Sequence, residues 1–365
     1  MASKRNPNFE LLRLISMCMV IVLHALGKSG TLTVIYENSN ASAWLAWIFE
    51  SFSIGAVNIF MLISGYFLIN SGFRLSKLLS LVFETVFYSL GAFLVCACLG
   101  IVSIKDTGIY DALNYIFPVN MSVYWFVTYY ILVYMFSPLI NRGIRALKEK
   151  ELKGLIFIML TYECFLKSFL PVRLTEDSKG YSFLWLLICY LIGAYIRLYG
   201  IKFFEKKRRG LFTYITASIL ILSWVFLIQF MNEKYGRLKE ISRISLEYNH
   251  IFVLLSALGI FYFFKDLKEP KERTGKIILF LSPMSLGVYL IHENLTVRYL
   301  WQGWVGFEDP LSLGPLSFVL RLIISVVLVL ISGLFVDYLR IKLFKALGKV
   351  INKLGYKDFT IPKAL

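Results

Sequence analysis

Apolar runs of about 17 to 25 residues recur along the whole chain, and each is long enough to cross a lipid bilayer as a helix. Lipid offers the backbone no hydrogen bonds, so such runs must form helices or a closed barrel. The runs are continuous and lack the alternation of a barrel strand, which favours helices. The sequence therefore predicts an all-α, polytopic integral membrane protein with about ten transmembrane helices, at 8–27, 47–70, 78–102, 122–140, 154–170, 181–196, 210–231, 248–264, 277–299 and 316–339.

The composition argues against an ordinary soluble domain. Hydrophobic residues make up 58% of the chain and charged residues 17%, and the mean hydropathy is +0.68. Soluble domains carry charges at about a quarter of their positions. All five cysteines fall within predicted spans, a placement that indicates neither a disulfide framework nor a zinc site: Cys18, Cys96, Cys98, Cys164 and Cys189.

The basic residues predict the orientation of the spans. Cytoplasmic loops of membrane proteins are rich in Lys and Arg. With the N-terminus inside, the inner segments hold 27 of the 39 Lys and Arg residues and the outer loops hold 8. Both termini are therefore predicted to be cytoplasmic, and the net charge of +16 needs no nucleic-acid partner. We predict one transmembrane domain over 1–345 and a short basic cytoplasmic tail over 346–365.

Arg13 and His24 are ionisable side chains within the first apolar run. They are 11 positions apart, which on an α-helix is ~16 Å of rise and about three turns, so both lie on one face. Either could have a structural explanation. Arg13 could reach the inner headgroups with its long side chain, and a neutral imidazole can bond one backbone carbonyl. Ionisable groups within the membrane are nevertheless functional candidates, because each is costly there.

Other polar residues fall inside later runs. His292 and Glu293 lie in the outer half of the ninth span, where His292 could reach the depth of His24. Histidine is the usual general base near neutral pH. Glu163 and Lys167 have the i,i+4 spacing of a helical salt bridge. Two His residues without nearby acidic or thiol ligands do not indicate a metal site, and no nucleophile-elbow, zinc-protease or phosphate-loop motif occurs.

Small and charged residues elsewhere have structural interpretations. Ser64 and Gly65 in the second span predict close packing against another helix. Glu84 lies within the third span and predicts a cation partner that the sequence does not identify. Asp337 and Arg340 close the tenth span and are interpreted as an interfacial pair.

Five features in order resemble membrane acyltransferase family 3. The first is the Arg13–His24 spacing in the first of ten spans, after a short basic start. The family's Phe-rich second span, basic inner loop, Trp-Phe stretch and late Ser-x-x-Ser-x-Gly-x-Tyr-Leu-x-His segment are similar to four stretches here. These stretches are NIFMLISGYFLI (58–69), FRLSKLL (73–79), YWFVTYYIL (124–132) and SPMSLGVYLIHEN (282–294). The basic loop lacks the adjacent arginine pair of many members.

The resemblance implies an acyl-CoA-dependent O-acyltransferase, an enzyme that transfers groups other than amino-acyl groups. The donor would be cytoplasmic acetyl-CoA or another acyl-CoA, used as a substrate, with no permanently bound cofactor. The acceptor would be a hydroxyl of an envelope, capsular or exported polysaccharide, or of its lipid-linked precursor. The location would be a bacterial inner membrane, with lipids around the protein.

The resemblance also implies roles for particular residues. His24 would be the key catalytic residue, with Arg13 in support. The anionic donor cannot cross lipid, so we expect its nucleotide to bind at the inner face. Arg13, Arg74 and Lys77 are predicted at that level, and Arg suits phosphate recognition. His292 or Glu293 could orient His24 or relay a proton.

Two other classes of protein stay open from the sequence. Ten spans with buried polar groups also suit a transporter or flippase for a lipid-linked sugar, although no repeat of polar positions in two halves is visible. A glycan polymerase is also polytopic, and 232–247 is the one outer segment that resembles its large loop. The sequence leaves open the acceptor sugar and the oligomeric state.

Overall fold

The computed structural model describes residues 5–33, 40–170, 178–206, 208–236, 238 and 243–353. These residues form an all-α fold without any β-strand. The helices are α1 (Pro7–Lys28), α2 (Ala41–Ser53), α3 (Ala56–Leu68), α4 (Leu75–Cys98), α5 (Ile109–Ile116), α6 (Trp125–Ala146), α7 (Glu149–Leu160), α8 (Leu166–Phe169), α9 (Phe183–Leu198), α10 (Arg209–Tyr235), α11 (Ile251–Lys265), α12 (Glu272–Leu281), α13 (Ser285–His292), α14 (Trp301–Trp304) and α15 (Pro315–Lys353).

Seven helical segments among the described residues are long and apolar enough to cross a membrane. The prediction of an all-α polytopic membrane protein is confirmed. Each of the ten predicted runs overlaps helix, but the count of ten spans and the cytoplasmic termini stay predictions. The seven segments are Pro7–Lys28, Ala41–Leu68, Leu75–Cys98, Arg209–Tyr235, Ile244–Lys265, Glu272–His292 and Pro315–Leu347.

Helix α1 lies at the centre of the bundle, where it packs against α2, α3, α11, α12, α13 and α15. Its start is fixed by Asn6, whose side chain accepts hydrogen bonds from the backbone N–H of Asn8 at 2.9 Å and of Phe9 at 3.4 Å. Pro7 follows at the first helical position, where its missing N–H costs nothing. An unbroken helix from Pro7 to Lys28 therefore holds Arg13 and His24 in fixed relation.

Helices α3 and α9 approach until their backbones touch. A Cβ atom added at Gly65 would lie 2.0 Å from the carbonyl oxygen of Tyr190, and one added at Gly193 would lie 2.2 Å from that of Leu62. Only glycine fits at either position. The predicted close packing at Gly65 is confirmed, and its partner helix is α9.

Buried charges join α4 to α15. Arg340 lies 3.1 Å from Glu84 and 2.7 Å from Asp337, and Tyr88 donates a 2.6 Å hydrogen bond to Asp337. Arg340 is thus the cation that Glu84 required. The predicted pair of Asp337 and Arg340 forms, and both side chains are buried within the bundle.

The other predicted ion pair also forms. Lys167 contacts Glu163 at 3.0 Å, across a turn of π-helix between α7 and α8. This pair lies within one helical segment and has the structural role that its spacing indicated.

The predicted boundary between residues 1–345 and the tail 346–365 falls within α15, which continues to Lys353. Residues 354–365 lie outside the described part of the chain.

Candidate active site

The predicted site residues gather at the two ends of α1. His292 and Glu293 lie beside His24, and Arg74 and Lys77 lie near Arg13. We call these regions the His24 end and the Arg13 end. Since α1 is unbroken between them, the two groups are ~16 Å apart along the helix axis.

At the His24 end, two imidazole rings from distant parts of the chain touch. Nδ1 of His24 lies 2.9 Å from Nε2 of His292, and the ring centroids are 5.1 Å apart. His292 is the last residue of α13 and is buried, whereas His24 is half-buried. The predicted match in depth between the two histidines is confirmed.

A chain of hydrogen bonds fixes the tautomers of both rings. Nδ1 of His292 lies 2.6 Å from the carbonyl oxygen of Val288. A carbonyl can only accept, so this nitrogen carries the proton, and Nε2 of neutral His292 is an acceptor. His24 must then donate from Nδ1, which leaves its Nε2 with a free lone pair. In this tautomer His24 can accept a proton from a bound molecule.

A charged cluster surrounds the two rings. Glu293 lies 3.2 Å from Nδ1 of His24, contacts Nζ of Lys28, and lies 3.6 Å from Arg298. All three charged side chains are mostly buried, with 13 to 17% of their surface exposed. Lys28 and Arg298 were absent from the predicted site. Their only signal in the sequence was a basic residue at the end of each of two spans.

The chain leaves α13 at the point that brings Glu293 to His24. Asn294 ends the helix, because its side-chain oxygen accepts from the backbone N–H of Thr296 at 2.9 Å. Its amide donates to the hydroxyl of Tyr124 at 3.1 Å and to the carbonyl of Tyr88 at 3.2 Å. Tyr124 in turn donates to the carbonyl of Leu290 at 3.1 Å. These bonds tie the site to α4 and to the start of α6.

The Arg13 end is strongly basic. Arg13 and Arg74 lie close enough to Lys77 to repel its charge, and Glu10 is the acidic neighbour. Glu10 is bound by Arg5 at 2.8 Å. Arg74 is exposed, whereas Arg13 and Lys77 are half-buried. Cations that outnumber carboxylates in this way suit a polyanionic ligand.

An aromatic row on α6 runs between the two ends. Phe126, Tyr130 and Tyr134 are spaced i, i+4, i+8 and so share one helix face. The ring of Tyr134 lies 5.6 Å from Nζ of Lys77, and that of Phe126 lies 6.5 Å from the ring of Tyr289, which neighbours His24. We call Phe126, Tyr130 and Tyr134 the α6 row.

No group of three or more His, Cys, Asp and Glu side chains among the described residues is arranged to hold a metal ion.

A family model described as an acyltransferase domain matches residues 6–348, nearly the whole chain. The chain belongs to membrane acyltransferase family 3. It is an acyltransferase and an integral membrane protein. Comparison with curated proteins and with solved structures gave no match.

Proposed function

We propose that the protein transfers an acyl group, most simply acetyl, from acyl-CoA to a hydroxyl of an envelope, capsular or exported polysaccharide or of its lipid-linked precursor. The observation that carries this proposal is the 2.9 Å contact between Nδ1 of His24 and Nε2 of His292, because it leaves Nε2 of His24 free to accept a proton. A hydroxyl needs such a base to attack a thioester. We place the protein in a bacterial inner membrane with the Arg13 end at the cytoplasmic face.

The donor would bind from the Arg13 end. CoA carries several phosphate charges, and Arg13, Arg74 and Lys77 supply cations for them. The α6 row offers an aromatic wall along which the uncharged arm of CoA could extend towards His24. The thioester would then lie about three helical turns from its phosphates.

The reaction would take place at the His24 end. Nε2 of His24 accepts the acceptor's hydroxyl proton as the oxygen attacks the thioester carbonyl carbon. The carbon–sulfur bond breaks, and the departing CoA thiolate takes the proton from Nε2 of His24 and leaves as the free thiol, which returns His24 to its neutral form. The imidazolium formed in the first step is stabilised by Glu293, 3.2 Å from its Nδ1. His292 acts as a positioning residue that holds the ring of His24 in the required tautomer.

The test of this proposal replaces His24 by Asn. General-base catalysis contributes about 10²- to 10⁴-fold, so His24→Asn should lower the rate of acetyl transfer by that factor. The measurement is release of CoA thiol from acetyl-CoA by purified protein, together with incorporation of label into membrane glycans. Binding of acetyl-CoA should be unchanged.

His250 offers a matched control. It is a buried histidine at the start of α11, where its Nδ1 accepts from the N–H of Phe252 at 3.3 Å. Asn also caps helices well, so His250→Asn should fold and keep full activity. Equal rates for His24→Asn and His250→Asn would sink the proposal.

A further inference from the structure

Two side chains at the His24 end hold buried hydrogen-bond donors without a partner among the described residues. One donor is the hydroxyl of Tyr289 on α13. The others are Nε and Nη2 of Arg298, which form one edge of its guanidinium, while Nη1 lies 3.6 Å from Glu293. Buried donors nearly always find a partner, because leaving one unpaired is costly. These donors therefore suit a bound molecule that offers them an oxygen atom.

Arg340 shows how the same fold satisfies a buried guanidinium that has a structural role. Its Nε and Nη2 donate to the two carboxylate oxygens of Asp337 at 2.7 and 3.1 Å, and Glu84 lies 3.1 Å away. The corresponding edge of Arg298 is buried without an oxygen opposite it in the described part of the chain. An anionic oxygen is the ligand that this edge binds best.

Tyr289 and Arg298 both border the imidazole of His24. The ring of Tyr289 lies 6.3 Å from that of His24 and 6.0 Å from that of His292. Arg298 lies within electrostatic range of His24 and of the Tyr289 hydroxyl. It reaches them because Asn294 turns the chain after α13. The unpaired donors therefore come from a helix and from the turn that follows it, and they lie beside the candidate base.

The charged cluster is suited to hold a negative charge on a bound molecule. Lys28 and Arg298 are its cations, and Glu293 is its carboxylate. When His24 accepts a proton, Glu293 also faces the imidazolium, so positive charge exceeds negative charge still further. Fixed donors from which water is excluded stabilise a developing negative charge far more than water does.

We propose that Tyr289 and Arg298 form an oxyanion site, which binds the carbonyl oxygen of the thioester during acyl transfer. When the acceptor's oxygen attacks the carbonyl carbon, one electron pair of the C=O bond moves to this oxygen. The Tyr289 hydroxyl and the Nε–Nη2 edge of Arg298 donate hydrogen bonds to the oxyanion. The pair re-forms the carbonyl as the carbon–sulfur bond breaks, and His24 passes its proton to the thiolate. The inference rests on the proposed acyl transfer and adds two catalytic residues to it.

The first test is Tyr289→Phe, which removes one hydroxyl and keeps the ring. Loss of one oxyanion donor costs about 10²- to 10³-fold in kcat, so kcat should fall by that factor while the KM for acetyl-CoA is unchanged. The midpoint of thermal unfolding should stay the same or rise, because this hydroxyl has no described partner to lose. The measurements are CoA thiol release at saturating acetyl-CoA, with native membranes as acceptor, and thermal unfolding in detergent.

Two further variants accompany Tyr289→Phe. The hydroxyl of Tyr214 on α10 donates to the backbone carbonyl of Phe52 at 2.7 Å, so Tyr214→Phe should lower the midpoint of unfolding and leave kcat unchanged. Arg298→Lys keeps a positive charge for Glu293 but loses the planar guanidinium edge, and it should lower kcat about 10-fold or more.

A non-reactive analogue tests the contact with the carbonyl oxygen directly. A CoA thioether that ends in a trifluoromethyl ketone adds water to form a tetrahedral hydrate, whereas the matching methyl ketone stays planar. Transition-state analogues bind about 10²-fold or more tightly than substrates, so the wild-type protein should be inhibited more strongly by the trifluoromethyl ketone. Tyr289→Phe should lose most of this preference.

Three results would overturn the oxyanion site while the His24-dependent acyl transfer stands. They are an unchanged kcat in both Tyr289→Phe and Arg298→Lys, equal losses of kcat in Tyr289→Phe and Tyr214→Phe, and the same preference for the trifluoromethyl ketone in Tyr289→Phe as in the wild type. Absence of any His24-dependent thiol release would overturn both the oxyanion site and the proposed function.

Discussion

Glu293 supplies the negative charge that balances the cations at the His24 end. It faces Lys28, Arg298 and the imidazole of His24 at once. Removing one partner of a buried ion pair costs about 3–5 kcal/mol because the remaining charge is left uncompensated. Glu293→Gln leaves Lys28 and Arg298 without this carboxylate. Because both side chains keep some contact with water, the loss of stability is smaller than for a fully buried pair. We expect a loss of about 2–3 kcal/mol in the free energy of unfolding.

The measurement for Glu293→Gln is the midpoint of thermal unfolding in detergent. The double variant Lys28→Met, Glu293→Gln removes one positive and one negative charge together, so the net charge of the cluster returns to its original value. This double variant should recover most of the decrease in the midpoint temperature of unfolding. A double variant less stable than Glu293→Gln alone would show that repulsion between Lys28 and Arg298 is not the cause.

At the His24 end, the sequence predicted His24, His292 and Glu293 but neither Lys28 nor Arg298. Arg13 and His24 lie within one apolar run, so helical spacing alone places them on one face. The apolar pattern predicted a span to residue 299, but the helix ends at His292. Asn294 causes the difference, because its side chain bonds the backbone two residues on in place of the helix. Arg298 reaches Glu293 only through this turn, so hydrophobicity could not predict the contact.

At the scale of elements, the contact between α3 and α9 depends on two glycines. A methyl group at Gly193 would lie 2.2 Å from the carbonyl oxygen of Leu62, and that atom belongs to a helix backbone that cannot move alone. Gly193→Ala should force the helices apart and cost about 1–3 kcal/mol or more of stability. Thermal unfolding in detergent measures the loss.

Gly91 provides the matched control for this substitution. It lies within α4, and a Cβ atom there would meet no atom within 4 Å. Ala favours the helix over Gly by about 1 kcal/mol, so Gly91→Ala should be neutral or slightly stabilising. A similar loss of stability in both variants would point to a general intolerance of alanine rather than to the contact between α3 and α9.

The sequence could indicate such a contact but not identify its partner. Ser64 and Gly65 showed that the second span packs closely, since small residues let helices approach. Gly193 lies in a different apolar run, and nothing in the local pattern pairs it with Leu62. The same limit applies to Glu84, whose burial required a cation while Arg340 lies far along the chain. Pairing between distant segments is set by the assembled bundle.

At the scale of the whole molecule, the regions at the two ends of α1 differ in their chemistry. The Arg13 end collects cations, and the His24 end holds the candidate base. The lengths of the apolar runs and the bias of basic residues predict this arrangement across a membrane. Donor and acceptor would then reach the enzyme from opposite sides, and neither would have to cross the lipid.

Sealed membrane vesicles of known orientation test this two-sided access. Acetyl-CoA is anionic and does not cross lipid, so it should support glycan acetylation when added outside inside-out vesicles and not outside right-side-out vesicles. Detergent should abolish this difference in acetylation, because it opens both kinds of vesicle. Arg74→Ala should raise the KM for acetyl-CoA in inside-out vesicles about 10-fold, the effect of losing one charge-assisted hydrogen bond at an exposed site.

Lys276 provides the matched control for Arg74. It is an exposed basic residue on α12, which packs against α1, and its partner is Glu272 in the same helix at 2.7 Å. Lys276→Ala should leave the KM for acetyl-CoA unchanged, because its side chain is exposed and already paired with Glu272, and an exposed ion pair contributes little. Use of external acetyl-CoA by sealed right-side-out vesicles would contradict the assigned orientation. Equal effects of Arg74→Ala and Lys276→Ala would reduce the role of Arg74 to a general surface charge, because specific phosphate contacts predict a difference between the two.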